Sequence, residues 1–524
     1  MGIFGKILNN DKGRVKPVVL AVLDGLGVAP PSQGNAVTLA NTPTLDMLWP
    51  RYPHTYLQAA GTNVGLPHGT DGNSEVGHIS MGAGKVVFQD LPRIDNAIST
   101  GTFFDNPMLM KAVEQVKQNN STLHLLGLIG SGEVHSSLNH FYSLIKLLAN
   151  NKLRSEQVLV HVFADGRDSP PKSALDFLEQ VDSELERRKV GRIASVVGRY
   201  FAMDRDERWD RTEKAYKLIA QGIGKKVKSW SEAIAENYAQ QKFDEVLEAY
   251  VIPDSTGKTH EIKPEDAVIF FNFRPDRAIQ ITKAFMDEGF MGFERKLLRG
   301  LYFVGMTDYE KDFPKNVAFP PEEITNPLGK IIADSNLKQL RIAESEKFPH
   351  VTYFLNGGRD EIYPGEDRIE VPSPKEVATY DQKPEMSAHL VTDLLANKIA
   401  TGNYSFIVVN FANADMVAHT GNLPATIKAM EILDECLKRL TEAVLEQDGT
   451  LIVTADHGNA EEMLDLRTGE IDTKHSINPV PLILINKGFQ PTEIPVGILA
   501  DIAPTILHIL GIKKPVEMNG RSLV

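Results

Sequence analysis

Several residues able to bind cations or attack phosphorus stand just beyond short apolar runs. Asp24 follows Val18–Leu23, Asp415 and His419 follow Phe406–Phe411, and Asp456-His457 follows Leu451–Thr454. His475 precedes Pro481–Ile485. Taken singly, each has an ordinary reading. Asp24-Gly25 after a strand reads as a turn, and Asp415 with His419 as a surface ion pair. Ser74, in Thr70-Asp71-Gly72-Asn73-Ser74-Glu75-Val76-Gly77-His78, reads as a helix cap, though a helix N-terminus is also a natural phosphate site. Together they mean more. A carboxylate and an imidazole four residues apart share a helix face and reach one metal, and a turn lets Asp456 and His457 converge where a strand would point them apart. Such a set, without thiolates, suits two ions such as Zn or Mn. A pair of cations lowers the pKa of a serine hydroxyl and clamps a phosphoryl oxygen.

A second set is cationic. Leu123–Ile129 leads to His135, Val158–Phe163 to Arg167-Asp168, Ile193–Val197 to Arg199 and then Arg205, and Ala267–Asn272 to Arg274 and Arg277. A lone arginine is usually a solvated surface residue. Guanidinium forks gathered behind separate buried strands instead match carboxylate and phosphate. The chain as a whole is acidic, with 56 Lys and Arg against 69 Asp and Glu, a net charge of −13. That balance argues against a nucleic-acid binder, which needs a basic face. A local basic pocket in an acidic protein implies a small polyanion as substrate.

The elements that must position these residues are short buried strands alternating with amphipathic helices, such as Leu138–Leu148, Lys172–Arg188, Arg211–Ala220 and Ala278–Met286. This is the pattern of an α/β protein with mainly parallel sheets, in which sites form at the carboxyl ends of strands. A length of 524 residues implies two or more domains. The carboxylate and imidazole set belongs to the chain ends and the arginine set to the middle. The simplest architecture is therefore one domain, 17–88 with 321–524, interrupted by an inserted substrate domain, 89–320. The crossings fall around Val87–Arg93 and Val317–Pro321, and a complete site would need the domains to close over substrate. Met1–Lys16 reads as an N-terminal extension without the h-region of a secretory signal. No apolar run approaches the ~18–20 residues of a membrane span. The single cysteine, Cys436, lies in a helical apolar stripe and reads as a buried structural thiol in a cytoplasmic protein. Gly257-Lys258-Thr259 lacks the first glycine of a phosphate-binding loop, Gly130-Ser131-Gly132 lacks the third of a dinucleotide fingerprint, and Ser74 is not in a nucleophile elbow.

Asp24-Gly25, Asp71 to His78, Asp165-Gly166-Arg167-Asp168, Gly198 to Arg205, Asn272-Phe273-Arg274-Pro275-Asp276-Arg277 and Thr454 to Asn459 occur in one order and spacing. In this the chain, from about Pro17 to its C-terminus, resembles the cofactor-independent phosphoglycerate mutases of the alkaline phosphatase superfamily, and no motif position departs from the pattern. The resemblance implies two α/β domains and interconversion of 3-phosphoglycerate and 2-phosphoglycerate in glycolysis and gluconeogenesis through a phosphoserine on Ser74, without 2,3-bisphosphoglycerate. It assigns Asp24, Ser74, Asp456 and His457 to one Mn²⁺ and Asp415, His419 and His475 to the other, with Zn²⁺ or Co²⁺ as alternatives. It assigns His135, Arg167, Asp168, Arg199, Arg205, Arg274, Arg277 and Lys347 to substrate. Lys347, in Glu346-Lys347-Phe348-Pro349-His350, precedes a segment that reads as a strand and would otherwise pass for a surface lysine. Asp168 is expected to shuttle protons on the glycerate hydroxyls, with Lys347 stabilising phosphoryl charge. The family also implies a monomer acting on small molecules, while the acidic balance and the short apolar runs leave no nucleic-acid or membrane partner expected. Competing readings are a metal phosphohydrolase, a phosphopentose mutase, or a non-catalytic binder of phosphorylated metabolites. The arginine motifs favour the glycerate enzyme over the first two, and the intact serine and ligand set argues against the third.

Overall fold

The computed structural model describes residues 16–524. Of the Met1–Lys16 extension, all but Lys16 therefore lies outside the described residues. The chain forms two compact units, one from residues up to Gln89 together with Glu322–Val524, the other from Asp90–Pro321.

The first unit is built on an eight-stranded sheet. Its order is Glu366–Val371, Gln339–Glu344, Phe406–Phe411, Val18–Leu23, Thr450–Thr454, Val480–Ile485, His54–Gln58 and Gly497–Ile498. The first five strands run parallel, and Val480–Ile485 is antiparallel to both its neighbours. Val18–Leu23 is buried at every position, because helices cover both faces of a parallel sheet and leave no side for polar residues. Register matters more than content here. Leu23 lies opposite Phe411, and Val22 opposite Thr454. Three neighbouring strands thus end level, and the segments that follow them carry Asp24, Asp456 and, on the short helix Asn413–Ala418, Asp415. The helix Leu423–Glu446 buries Leu433, Cys436, Leu437 and Leu440 along one stripe, so Cys436 is the buried thiol its spacing predicts.

The second unit repeats the plan, with sheet order Asn316–Val317, Tyr302–Gly305, Ala267–Phe270, Leu123–Ile129, Val158–Ala164, Arg192–Gly198, Tyr250–Val251 and Lys225–Lys226. Pairing is parallel as far as Arg192–Gly198. Ile129 faces Ala164, which faces Gly198, so the residues after these strands also emerge together. The α/β class expected from the sequence is the one observed.

One expectation is corrected. The segment after Lys347 is a π-helical turn, His350–Phe354, where a strand was expected. Val351, Thr352, Tyr353 and Phe354 have strand propensity, but Thr352 Oγ1 donates to Phe348 O at 2.7 Å and the Leu355 amide donates to His350 O. Local closure wins over propensity. The strand is Gln339–Glu344, on the other side of Lys347.

Candidate active site

In the first unit, Ser74 is the first residue of the helix Ser74–Ala83. The cap is its neighbour Asn73, whose side chain accepts the Val76 amide at 3.1 Å. The capping role read for Ser74 is therefore corrected by one residue, and its hydroxyl is free for other partners. Ser74 Oγ lies 2.9 Å from His457 Nε2, 3.0 Å from Lys347 Nζ and 3.3 Å from Asp24 Oδ1. Asp24 sits on a tight turn. Gly25 holds φ +77°, and a Cβ there would come within 2.8 Å of the Asp415 backbone. That contact lets the Asp415 amide bond Asp24 O at 3.1 Å, which joins the turn after one strand to the helix after its neighbour.

Lys347 is buried and bridges Asp24 Oδ1 at 2.7 Å and Asp415 Oδ2 at 2.6 Å. Burial alone would lower its pKa, but Asp24, Asp415 and Asp456 outweigh burial and raise it, so the ammonium stays charged. Burial would likewise raise Asp415; Lys347, with hydrogen bonds from His419 and His475, holds it well below the carboxylate range instead.

Two clusters suit a metal: Asp415 with His419 and His475, and Asp24 with Asp415 and His457. In the first, the two imidazole Nε2 atoms are 3.0 Å apart and lie 3.2 and 3.3 Å from Asp415 Oδ1. Edges of ~3.3 Å are what ~2.0–2.1 Å metal–ligand bonds produce in a tetrahedron. His419 Nδ1 and His475 Nδ1 each donate to a backbone carbonyl at 2.8 Å, Thr473 O and Gly72 O. With Nδ1 so engaged, both Nε2 atoms turn inward and, with Asp415 Oδ1, form a triangle of the size a cation fills. Asp415, bonded to His419, holds that imidazole above its ordinary pKa. His457 repeats the pattern, with Nδ1 3.2 Å from Gly458 O and Nε2 turned to Ser74. Burial would depress His457, but Asp456, Asp24 and Asp415 push it up to about 10. Asp456 Oδ2 is buried without a hydrogen bond. His78 Nδ1, 3.3 Å from it, points its proton at Ser74 O, 2.8 Å away. The donor set fits divalent metal.

In the second unit, Arg199 is buried and donates to Asp165 and Asp168, each at 2.5 Å. His135 is buried 3.9 Å from Asp168 and 3.7 Å from Asp276. Burial first, then the Arg199 cation, push its pKa down to about 4, so the imidazole is neutral near pH 7. Asp276 also accepts from Arg205 at 2.9 Å and Arg274 at 3.0 Å. Arg277 donates to Met203 O, and its pKa is lowered by burial and then by Arg205, Arg167 and Arg199. Arg167 pairs with Glu245. A cavity of about 130 Å³ is lined by Arg167, Arg199 and Arg277 together with Arg208 and Arg211. These last two escaped the sequence reading because no strand precedes them closely. Both pair with Asp204 at 3.4 Å, and Arg211 lies 3.8 Å over the Tyr200 ring.

Comparison with known proteins follows the same lines. A profile of the Metalloenzyme superfamily matches residues 16–514. The 2,3-bisphosphoglycerate-independent phosphoglycerate mutase of Clostridium perfringens is 49% identical over 97% of this chain and 99% of its own. That of Moorella thermoacetica is 48% identical over 97% and 98%. Among solved structures, Leishmania mexicana phosphoglycerate mutase at low cobalt concentration is 34% identical, covers 98% of each chain and superposes with a TM-score of 0.53.

Proposed function

The chain belongs to the 2,3-bisphosphoglycerate-independent phosphoglycerate mutases, isomerases that interconvert 3-phosphoglycerate and 2-phosphoglycerate, and we propose that it does so through a phosphoserine on Ser74 beside two Mn²⁺ ions. It is a divalent-metal enzyme with a small-molecule substrate. Asp24, Ser74, Asp456 and His457 would hold one ion, and Asp415, His419 and His475 the other. Bound there, the ions would acidify the Ser74 hydroxyl and neutralise phosphoryl charge. Zn²⁺ and Co²⁺ suit the same donors.

The remaining chemistry belongs to the chain's own groups. Ser74 Oγ attacks phosphorus, and the Lys347 ammonium, 3.0 Å away, stabilises negative charge on that oxygen. The position of Ser74 at a helix N-terminus aims backbone N–H groups at the phosphoryl oxygens. In the second unit, Arg167, Arg199, Arg205, Arg274 and Arg277 hold the glycerate, with His135 as a neutral hydrogen-bonding group. Asp168 exchanges protons with the glycerate hydroxyls, oriented by its bond to Arg199. Glycerate turns, its other hydroxyl attacks the phosphoserine, and the isomer leaves. If glycerate left early, water would hydrolyse the phosphoserine. In this reading residues 17–88 with 321–524 are the metal domain, 89–320 is the substrate domain, and the enzyme acts as a cytoplasmic monomer. Among the described residues no helix is long and apolar enough to cross a membrane.

The observation that carries this reading is the convergence of Lys347, His457 and Asp24 on one serine oxygen. Acid quenching of Mn²⁺-loaded protein during turnover, followed by peptide mass spectrometry, should place phosphate on Ser74. Ser74→Ala should fold normally, carry no phosphate and lose mutase activity. Substantial turnover by Ser74→Ala would remove Ser74 as nucleophile.

A further inference from the structure

Glu461 is a buried carboxylate four residues beyond His457, and nothing in the proposed reaction uses it. It is 2% exposed, and its four hydrogen-bond partners are neutral donors from three stretches of chain. Oε2 accepts the Gly27 amide at 3.0 Å and the Asn459 amide at 2.9 Å. Oε1 accepts from Ser476 Oγ and from Asn478 Nδ2, the latter at 3.1 Å. Gly27 lies three residues after Asp24, Asn459 two after His457, and Ser476 directly after His475. One carboxylate therefore ties together three loops that each carry proposed metal ligands. It reaches the helix Asn413–Ala418 through Asn459, whose Nδ2 donates to Asp415 Oδ1 at 2.8 Å.

The backbone around it has room for a carboxylate and nothing more. A Cβ on Gly27 would stand 2.2 Å from Glu461 Cδ, and one on Gly458 would stand 2.3 Å from Oε1. Gly27 does not adopt a left-handed backbone, and the three atoms nearest that Cβ all belong to the Glu461 carboxylate. Direct bonds between these segments also exist, among them Ser476 N to Gly458 O and Ala460 N to Gly25 O at 3.0 Å and Val28 N to Pro479 O at 2.8 Å. Each joins only two segments, where the Glu461 carboxylate joins three. Bonds to a charged acceptor are roughly twice as strong as neutral ones. Removing the carboxylate would also leave buried donors unpaired.

We infer that Glu461 is a positioning residue for the metal centre, its carboxylate setting the spacing of the Asp24, Asp456-His457 and His475 loops. This rests on the two-metal reading above and adds to it a residue that touches neither metal nor substrate. Groups that orient metal ligands commonly account for ~10–100-fold in metal affinity. A glutamine at 461 can still accept the Gly27 and Asn459 amides through its one oxygen, but it offers no charge and turns an N–H₂ toward Ser476 and Asn478.

The test is a Mn²⁺ binding isotherm, read by electron paramagnetic resonance on chelator-stripped protein, for the parent, Glu461→Gln and Gly27→Ala. Gly27→Ala keeps the carboxylate and displaces it, so the inference stays testable if Glu461→Gln folds poorly. Thermal melts of the metal-free proteins accompany the isotherms. The parent should bind two Mn²⁺ per chain, and each variant should bind about tenfold or more weaker, with mutase activity recovering at high Mn²⁺. Affinity within twofold of the parent in both variants, with only the metal-free melting temperature lowered, would make Glu461 a purely structural residue and overturn the inference. A parent that binds no Mn²⁺ would overturn the two-metal reading, and this inference with it.

Discussion

Replacing Lys347 with methionine removes the cation that holds Asp24 and Asp415 together while keeping an unbranched side chain of similar length. The ammonium makes two charge-assisted hydrogen bonds to buried carboxylates, at 2.7 and 2.6 Å. At ~1.5–3 kcal/mol each, their loss would destabilise the metal-free protein by about 3–6 kcal/mol. Protonation sets a ceiling. Asp415, held well below the carboxylate range by Lys347 in the parent, can take up a proton once the lysine is gone. Raising a carboxylate from ~3.9 to ~7 costs about 4 kcal/mol at ~1.4 kcal/mol per unit, so the loss at pH 7 should level off near ~4 kcal/mol. Near pH 5 the same escape costs only ~1.5 kcal/mol. The variant's folded state binds the extra proton, so its deficit must grow as pH rises. Mn²⁺ neutralises the same oxygens, so saturating Mn²⁺ should shrink the deficit to ~1 kcal/mol or less even as turnover falls ~100-fold or more. The assay is urea unfolding followed by Trp49, which lies in the first unit, in a background where Trp209 and Trp230 of the second unit are phenylalanine. A deficit that is the same with and without Mn²⁺, or the same at pH 5 and pH 7, would refute the placement of Lys347 among metal-binding carboxylates.

Two further outcomes are expected in the second unit. Arg274→Ala should raise the share of substrate released as free phosphate, measured as phosphate formed per 2-phosphoglycerate, because a weakly held glycerate leaves the phosphoserine to water; an unchanged ratio would contradict a glycerate-holding role. His260 is buried beside His161, with ring centroids 4.6 Å apart, and burial followed by the His124 charge pushes its pKa down to about 4. The folded protein keeps this imidazole neutral, so its contribution is fully present above ~6.5 and is lost as pH falls toward 4, about 2 kcal/mol between pH 7 and pH 5. His260→Gln, whose amide still reaches Leu218 O, should flatten the acid loss of stability by that amount; Trp209 and Trp230 fluorescence in a Trp49→Phe background reads it. An acid slope identical to the parent's would show that His260 does not titrate there.

How much of this was legible in the sequence depends on range. Val18–Leu23, Leu123–Ile129 and Phe406–Phe411 have the same bounds in the structure as in the apolar pattern, because fully buried parallel strands are continuous hydrophobic runs. Gln339–Glu344 was missed since Gln339, Arg341 and Glu344 break its run, although all three are buried. Asp24, Asp415 and Asp456 could be paired on paper because parallel register brings strand ends level. The capping role fell on Ser74 in place of Asn73 because adjacent polar residues at a helix start are chemically alike. Lys347 was found only through resemblance, since an ion pair spanning 323 residues leaves no local trace. The same holds for Glu461, whose bond to Gly27 spans 434 residues. Its nearness to His457 was the one available signal.

The central claim, a metal-dependent mutase that needs no bisphosphoglycerate, is tested most directly by phosphorus NMR of chelator-stripped protein with 3-phosphoglycerate alone. Adding Mn²⁺ should make the 2-phosphoglycerate resonance appear and grow to equilibrium with little free phosphate. Formation of 2-phosphoglycerate before metal is added, or release of inorganic phosphate as the main product afterwards, would contradict the account.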